Sequence, residues 1–485
     1  MQRSKEYLFL YLLIPCIAIS LGLIAGAQPL LIVAAIFAAV ALYFFFNYFE
    51  QTVIFLLLVR NSLDVFTKQQ IPAAYTLGLV ALTVIYLVYK FATNQKINFD
   101  GFWWFMAVWS FVQGTWIVLL LLGALELSPS LLMISFREWF RMLSIPLIYL
   151  LTIQLEGKVN PIKFIIIIAF GAMIFPIFIA LLQMFVPSIL PEMLAGINKT
   201  TDNLDLVAQG ADVSRVRGTF IHANTLCRAS VISLGVAIWE LENSEVRWPW
   251  LVLLPLFALL IVGTKSMSGL IMLAIILLAT MMRKMSFSRV VIGVVLFSGV
   301  LLLFSSSQYG QSRLESLYNM PFVNPDIDFN RAVILARNNL SDNSLNWRLS
   351  HWKYLLDHWE GSSFFGYGIG LSTHFAAREV LAPHNDYVKF LIEQGYIGVS
   401  LLIAFLYAHI YRAIQLIKDA RFDKRRREFA YMLLVFSIAM SVGMITENIF
   451  RSSPFFVTLW SLFAVASWDW NESKYKQNRR FMRRG

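Results

Sequence analysis

Cysteine and charge are the two things this chain has least of. Among its 485 residues there are two cysteines, Cys16 and Cys227, each inside an apolar stretch and far from the other. That spacing excludes a disulfide framework and a zinc cluster of paired cysteines. Charged residues make up 14%, against roughly 25% in a soluble domain, which excludes a water-soluble core under a charged shell and hence a cytosolic enzyme. No stretch is rich in Gly and Ser or in Pro, and no repeat recurs, so neither linker-joined domains nor a solenoid is expected. The six histidines, at 222, 351, 358, 374, 384 and 409, carry no His-x3-His or carboxylate pattern; no metal site and no cofactor is expected.

Apolar residues fill the space that charge leaves: 58% are hydrophobic, with 40 Phe, 18 Tyr and 14 Trp. Apolar runs cover approximately residues 7–25, 29–47, 50–60, 75–93, 102–122, 132–153, 163–184, 223–241, 248–263, 268–283, 289–305, 387–415, 428–446 and 453–469. A run of about 20 residues spans a bilayer as a helix, and the third is too short to do so alone. The fold class is therefore an all-α polytopic membrane protein with about 12–14 transmembrane helices and one long periplasmic loop containing short helices.

A net charge of +11 invites a nucleic-acid reading, but its distribution argues against one. With the N-terminus in the cytoplasm, Lys424-Arg425-Arg426-Arg427 and the tail Arg479-Arg480 and Arg483-Arg484 fall on one side, as the positive-inside rule requires. Both termini are then cytoplasmic. Residues 1–305 hold eleven helices and a short periplasmic loop at about 185–221; 306–386 form the long periplasmic loop region; 387–485 hold the last three helices and the basic tail. Met1–Gln28 has the basic start and the Ala25-Gly26-Ala27 end of a signal peptide, but its apolar stretch is long for that role, so it is expected to stay as a helix. Trp347–Trp359 reads as an amphipathic helix with tryptophans resting at headgroup level.

Ionisable groups near helix ends on the outer side are Arg60 with Asp64, Arg137 and Arg141, Arg215 and Arg217, Lys265, Arg348, His384, and Glu447 with Arg451. Most are cations, and guanidinium forks suit a diphosphate. Glu447 and Arg451, at i and i+4, read as a helix-end ion pair. His409, within an apolar run, reads as a packed core residue. His384 differs. In Ala382-Pro383-His384-Asn385-Asp386-Tyr387, proline breaks the chain and Asn385 or Asp386 can cap the next helix. The positive end of that helix favours the neutral imidazole a general base needs. No strand–helix alternation surrounds Gly366-Tyr367-Gly368-Ile369-Gly370, so a tight turn is expected there rather than a nucleotide loop.

At these residues the chain resembles the O-antigen ligase and polymerase family of bacterial surface-polysaccharide assembly. The likeness rests on His384-Asn385 followed by Gly395-Tyr396-Ile397-Gly398, on Trp347-Arg348 with Trp352, and on Gly366-x-Gly368-x-Gly370. A second block runs from Arg215-Val216-Arg217-Gly218-Thr219-Phe220 into His222-Ala223-Asn224, and the segments Arg60–Asp64 and Glu138–Arg141 add to it. Many members carry Ser-Arg after the helix that ends here near Thr264; this chain has Lys265-Ser266, a point charge in place of a fork.

The resemblance implies a metal-independent, inverting glycosyltransferase of the bacterial inner membrane with its active site facing the periplasm. The implied donor is an undecaprenyl-diphosphate-linked oligosaccharide. The acceptor is a sugar hydroxyl on a lipid-linked repeat (polymerase) or on lipid A core (ligase); a protein hydroxyl is a third choice. On this reading His384 is the catalytic base and Arg217, Arg348 and Arg215 bind the diphosphate, with Arg137, Arg141, Lys265 and Arg60 in second rank. Expected partners are donor, acceptor glycan and membrane lipids, without nucleic acid. A transporter or flippase is the alternative from another class, but it is expected to place charge at mid-membrane and to show matching halves.

Overall fold

A computed structural model of the chain describes residues 29–125, 129–195, 215–283, 287–306, 310–311, 344–357, 359, 364–374, 382–421 and 423–470. The expected first helix at 7–25 with Cys16, the basic tail beyond 470 and most of the two expected loops lie outside the described residues.

Among those described, the chain is helical with no strand. The helices are α1 (Pro29–Asn47), α2 (Phe49–Val59), α3 (Ile71–Ala92), α4 (Gly101–Gln113), α5 (Thr115–Leu121), α6 (Leu132–Ile153), α7 (Pro161–Phe170) and α8 (Ile174–Phe185). They continue as α9 (Ala223–Asn243), α10 (Trp248–Gly263), α11 (Met267–Arg283), α12 (Phe287–Ser305), α13 (Ser344–Asp357), α14 (Asp386–Asp419), α15 (Lys424–Gly443) and α16 (Ser453–Ser467). Four stretches are long and apolar enough to cross a membrane: Ile71–Ala92, Gly101–Leu121, Pro161–Phe185 and Asp386–Asp419. Shorter apolar helices include α10 and α16. The chain is an all-α polytopic membrane protein.

Local chemistry sets the boundaries. Asp100 caps α4 by accepting from the Trp103 amide, Asn160 caps α7 from Lys163 and Asp423 caps α15 from Arg426, each satisfying an amide that the first turn leaves without a helical partner. Two expected continuous helices are each two pieces. Gly114 separates α4 from α5, where a Cβ would lie 2.9 Å from the Trp139 ring, and a 3-10 turn from Gly171 to Met173 separates α7 from α8.

The core centres on α16, buried from Pro454 through Ala466, as suits a helix apolar on every side. It packs against α6, α7, α9, α14 and α15. Peripheral helices instead turn large side chains outward, among them Phe91, Phe111 and Phe178, the surface that lipid covers.

Helix direction then sorts the charges. α15 runs about 30 Å from the Lys424–Arg427 cluster to Gly443. α14 runs oppositely, beginning beside His384, and α14 and α15 pack together. The starts of α9 and α14, the end of α15 and the 384–386 turn therefore meet at one end of the bundle, opposite the basic cluster.

Candidate active site

Asn385 caps α14, its side-chain oxygen accepting from the Tyr387 and Val388 amides at 2.9 and 3.1 Å. His384, just before the cap, has φ +52°, a left-handed conformation costing a β-carbon residue about 1–3 kcal/mol. Its neighbours hold it there. Trp352 Nε1, on α13, donates to the Pro383 carbonyl at 2.5 Å. On the other side the Asp386 amide donates to the Met444 carbonyl at 2.9 Å, while Asp386 Oδ2 accepts from the Phe450 amide at 2.8 Å.

Both clamps bring His384 to Glu447, in the turn after α15. His384 Nδ1 lies 3.9 Å from Glu447 Oε2, and Arg348 Nη2, one turn before Trp352 on α13, lies 3.6 Å from Oε1. From α9, Asn224 Nδ2 donates to Oε1 at 2.6 Å. Asn224 Oδ1 accepts in turn from Arg215, whose Nε donates to the Thr264 carbonyl at 2.9 Å. Three chain-distant segments thus converge on one buried carboxylate. Burial alone pushes Glu447 up, but the imidazole of His384 and the charges of Arg348 and Arg228 outweigh it and hold the carboxyl well below the usual carboxylate range.

The expected pairing of Glu447 with Arg451 is corrected here. α15 ends at Gly443, so the two residues lie in a turn and a short 3-10 segment rather than on one α-helical face. No sequence spacing revealed Glu447's partners; the available signal was a carboxylate at the same end of the bundle as His384.

The other candidates divide. Arg217 bonds elsewhere: its Nη2 donates to the Met193 carbonyl at 3.0 Å and its amide to Gln183 Oε1 at 3.0 Å, and burial lowers the guanidinium below its ordinary value. Gly218 beside it has φ +59°, and a Cβ there would sit 2.6 Å from the Pro176 carbonyl oxygen. Lys265 is half-buried at a left-handed turn with φ +52°, next to the Thr264 carbonyl that Arg215 holds. Arg60 is buried in a 2.6 Å pair with Asp64, Arg141 pairs with Glu138, and Arg137 is exposed. Among the described residues no group of three or more His, Cys, Asp or Glu is placed to hold a metal ion.

A second buried network supports the turn from below. Lys389 Nζ lies 3.1 Å from Glu138 and 2.9 Å from Glu393, and Glu393 also accepts from Ser372 Oγ at 2.6 Å and the Gly370 amide at 2.9 Å. Sequence reading did not single out Lys389 or Glu393. α14 breaks at Gly395, with φ +65°, and the break leaves the Ile392 and Glu393 carbonyls to accept from the Tyr367 and Gly368 amides at 3.0 and 2.8 Å. The Gly366–Gly370 segment is indeed a tight turn, and it is spliced into this break. Trp359 packs with Leu355, Tyr367 and Ile392, so it is a core residue here rather than a headgroup anchor. His409 is fully buried, accepting from Trp460 Nε1 at 2.9 Å and facing the Phe405 carbonyl with Nδ1, as a packed core histidine does.

No curated protein matches the chain. A family model described as O-antigen ligase matches residues 250–403, a span that includes Lys265, Arg348, His384 and the Gly395 break but stops before Glu447. Over that span, about a third of the chain, the sequence is similar to the O-antigen ligase family.

Proposed function

We propose that this protein transfers a glycan from undecaprenyl diphosphate to an acceptor sugar hydroxyl on the periplasmic side of the bacterial inner membrane, as an O-antigen polymerase or ligase. The observation that carries this reading is the convergence of His384, Glu447, Arg348 and Arg215 at one end of the bundle. On this reading Nδ1 of His384 faces Glu447 and the imidazole takes the proton of the incoming hydroxyl. The hydroxyl oxygen attacks the anomeric carbon, the bond from that carbon to the diphosphate oxygen breaks, and the lipid diphosphate leaves with its electron pair. Attack opposite the leaving group inverts the anomeric configuration.

Two charges then need partners. The imidazolium formed at His384 is offset by Glu447, as a carboxylate offsets histidine in hydrolytic triads. The diphosphate is received by Arg348 and Arg215, with Arg217 and Lys265 as further cations, because fixed guanidinium donors stabilise charge on phosphate oxygens as it develops. Arg60 and Arg141, each spoken for by a carboxylate, and exposed Arg137 are not assigned to the diphosphate. Surface glycan from a deletion strain tests the reading on a gel. Loss of long chains with single repeats retained indicates a polymerase, and loss of all attached glycan a ligase. Unchanged glycan, or lipid-linked repeats trapped inside the cell, overturns it.

A further inference from the structure

Arg228 lies on α9, one helical turn beyond Asn224, and is 4% exposed. Its Nη2 donates to Thr225 Oγ1 at 3.2 Å, while Nε and Nη1 are buried without a hydrogen-bond partner. A buried cation without a bonded carboxylate is costly unless nearby opposite charge offsets it. The carboxylates on which its charge acts are Glu447 and Asp386; Asp386 is fully buried, and its Oδ1 is also unpartnered.

We propose that Arg228 is a positioning residue for the transfer reaction, keeping the Glu447 carboxylate ionised and aimed at His384. The inference rests on the glycosyl-transfer reading of this site. Glu447 faces Arg348 from α13, His384 from the turn before α14 and Arg228 from α9, with Arg215 reaching it through Asn224; Asp386, at the start of α14, faces Lys389, Arg228 and Arg141. Arg348 is one-fifth exposed at its side chain and is given to the diphosphate when donor binds. Arg228, sealed in the bundle, is the cation that stays with Glu447 throughout the cycle.

The test uses the full-length protein with a lipid-diphosphate-linked oligosaccharide donor. Arg228→Met is expected to lower kcat about tenfold or more while the donor KM stays within about twofold. Removing a positive charge favours protonation throughout the cluster, so the acid limb of the pH–rate profile moves to higher pH. Arg228→Lys restores the limb and most of kcat. Should Arg228→Met fail to fold, Arg228→Lys and Arg228→Gln are compared in wild-type and Glu447→Gln backgrounds, where the effect of removing the charge vanishes once Glu447 is neutral. An unshifted profile with normal kcat, a raised KM at unchanged kcat, or additive effects in the Glu447→Gln background overturns the proposal. His384→Ala is assayed alongside. If it retains transfer, the reading of the site fails; if it is inactive while Arg228→Met behaves as wild type, only the Arg228 inference fails.

Discussion

Glu447 organises the cluster one atom at a time: Oε1 takes Asn224 and faces Arg348, and Oε2 faces His384. Glu447→Gln keeps the shape and removes the charge, so transfer is expected to fall on the order of 100-fold, read as initial rate of glycan transfer. The same carboxylate gives a pH signature. A carboxyl held below its ordinary value stabilises the fold above that value, about pH 4.3, and the contribution is lost as pH falls through the lowered folded value. The Tm advantage of wild type over Glu447→Gln, measured in detergent, therefore shrinks as the sample is acidified below about pH 4; an advantage independent of pH contradicts it. Arg217→Lys is expected to lose most activity because a lysine cannot replace a bidentate phosphate contact, and full activity with lysine removes Arg217 from the diphosphate site. His384, Arg348 and Arg215, which the structure brings to the Glu447 cluster, were candidates from residue type, local context and the family resemblance. Glu447 was not, because the i, i+4 pair with Arg451 presumes a helix that stops at Gly443.

Some helices were legible nearly to the residue from the extent of their apolar runs, as for α6 and for α10, which ends at Gly263. The junction of the Gly366–Gly370 turn with the break in α14 was not, since each half is satisfied only by amides or carbonyls far along the chain. This junction fixes the start of α14, and with it His384. A Cβ on Gly366 would lie 2.4 Å from the Gln394 backbone nitrogen at φ +68°. Gly366→Ala is expected to cost about 2 kcal/mol or more and to lower both Tm and transfer. Gly299→Ala on α12, where nothing lies within 4 Å of the added carbon, is the control, and helix propensity predicts no loss there, or a gain of up to about 1 kcal/mol. Equal thermal shifts for the two variants contradict the splice.

Across the whole molecule, the sparse charge is divided by end. Arg425 and Glu240, joined at 2.6 Å, lie with the Lys424–Arg427 cluster, and the His384 turn lies at the opposite end of α15. We infer from the positive-inside rule that the basic end is cytoplasmic. In a background with Cys16 and Cys227 replaced by serine, His374→Cys is expected to react with an impermeant maleimide in spheroplasts. Lys418→Cys, exposed at the far end of α14, is expected to react only after permeabilisation, and the reverse pattern inverts the topology. Composition and hydropathy made the all-α membrane fold class readable, because a bilayer demands closed backbone hydrogen bonding. They were silent on which helix ends meet, which depends on packing between α9, α14 and α15.

The most direct measurement is the transfer of labelled oligosaccharide from undecaprenyl diphosphate to acceptor glycan by purified wild type and by His384→Ala of unchanged helical content and elution volume. Product from the wild type and none from the variant is the predicted result; product at the wild-type rate from His384→Ala contradicts the assignment.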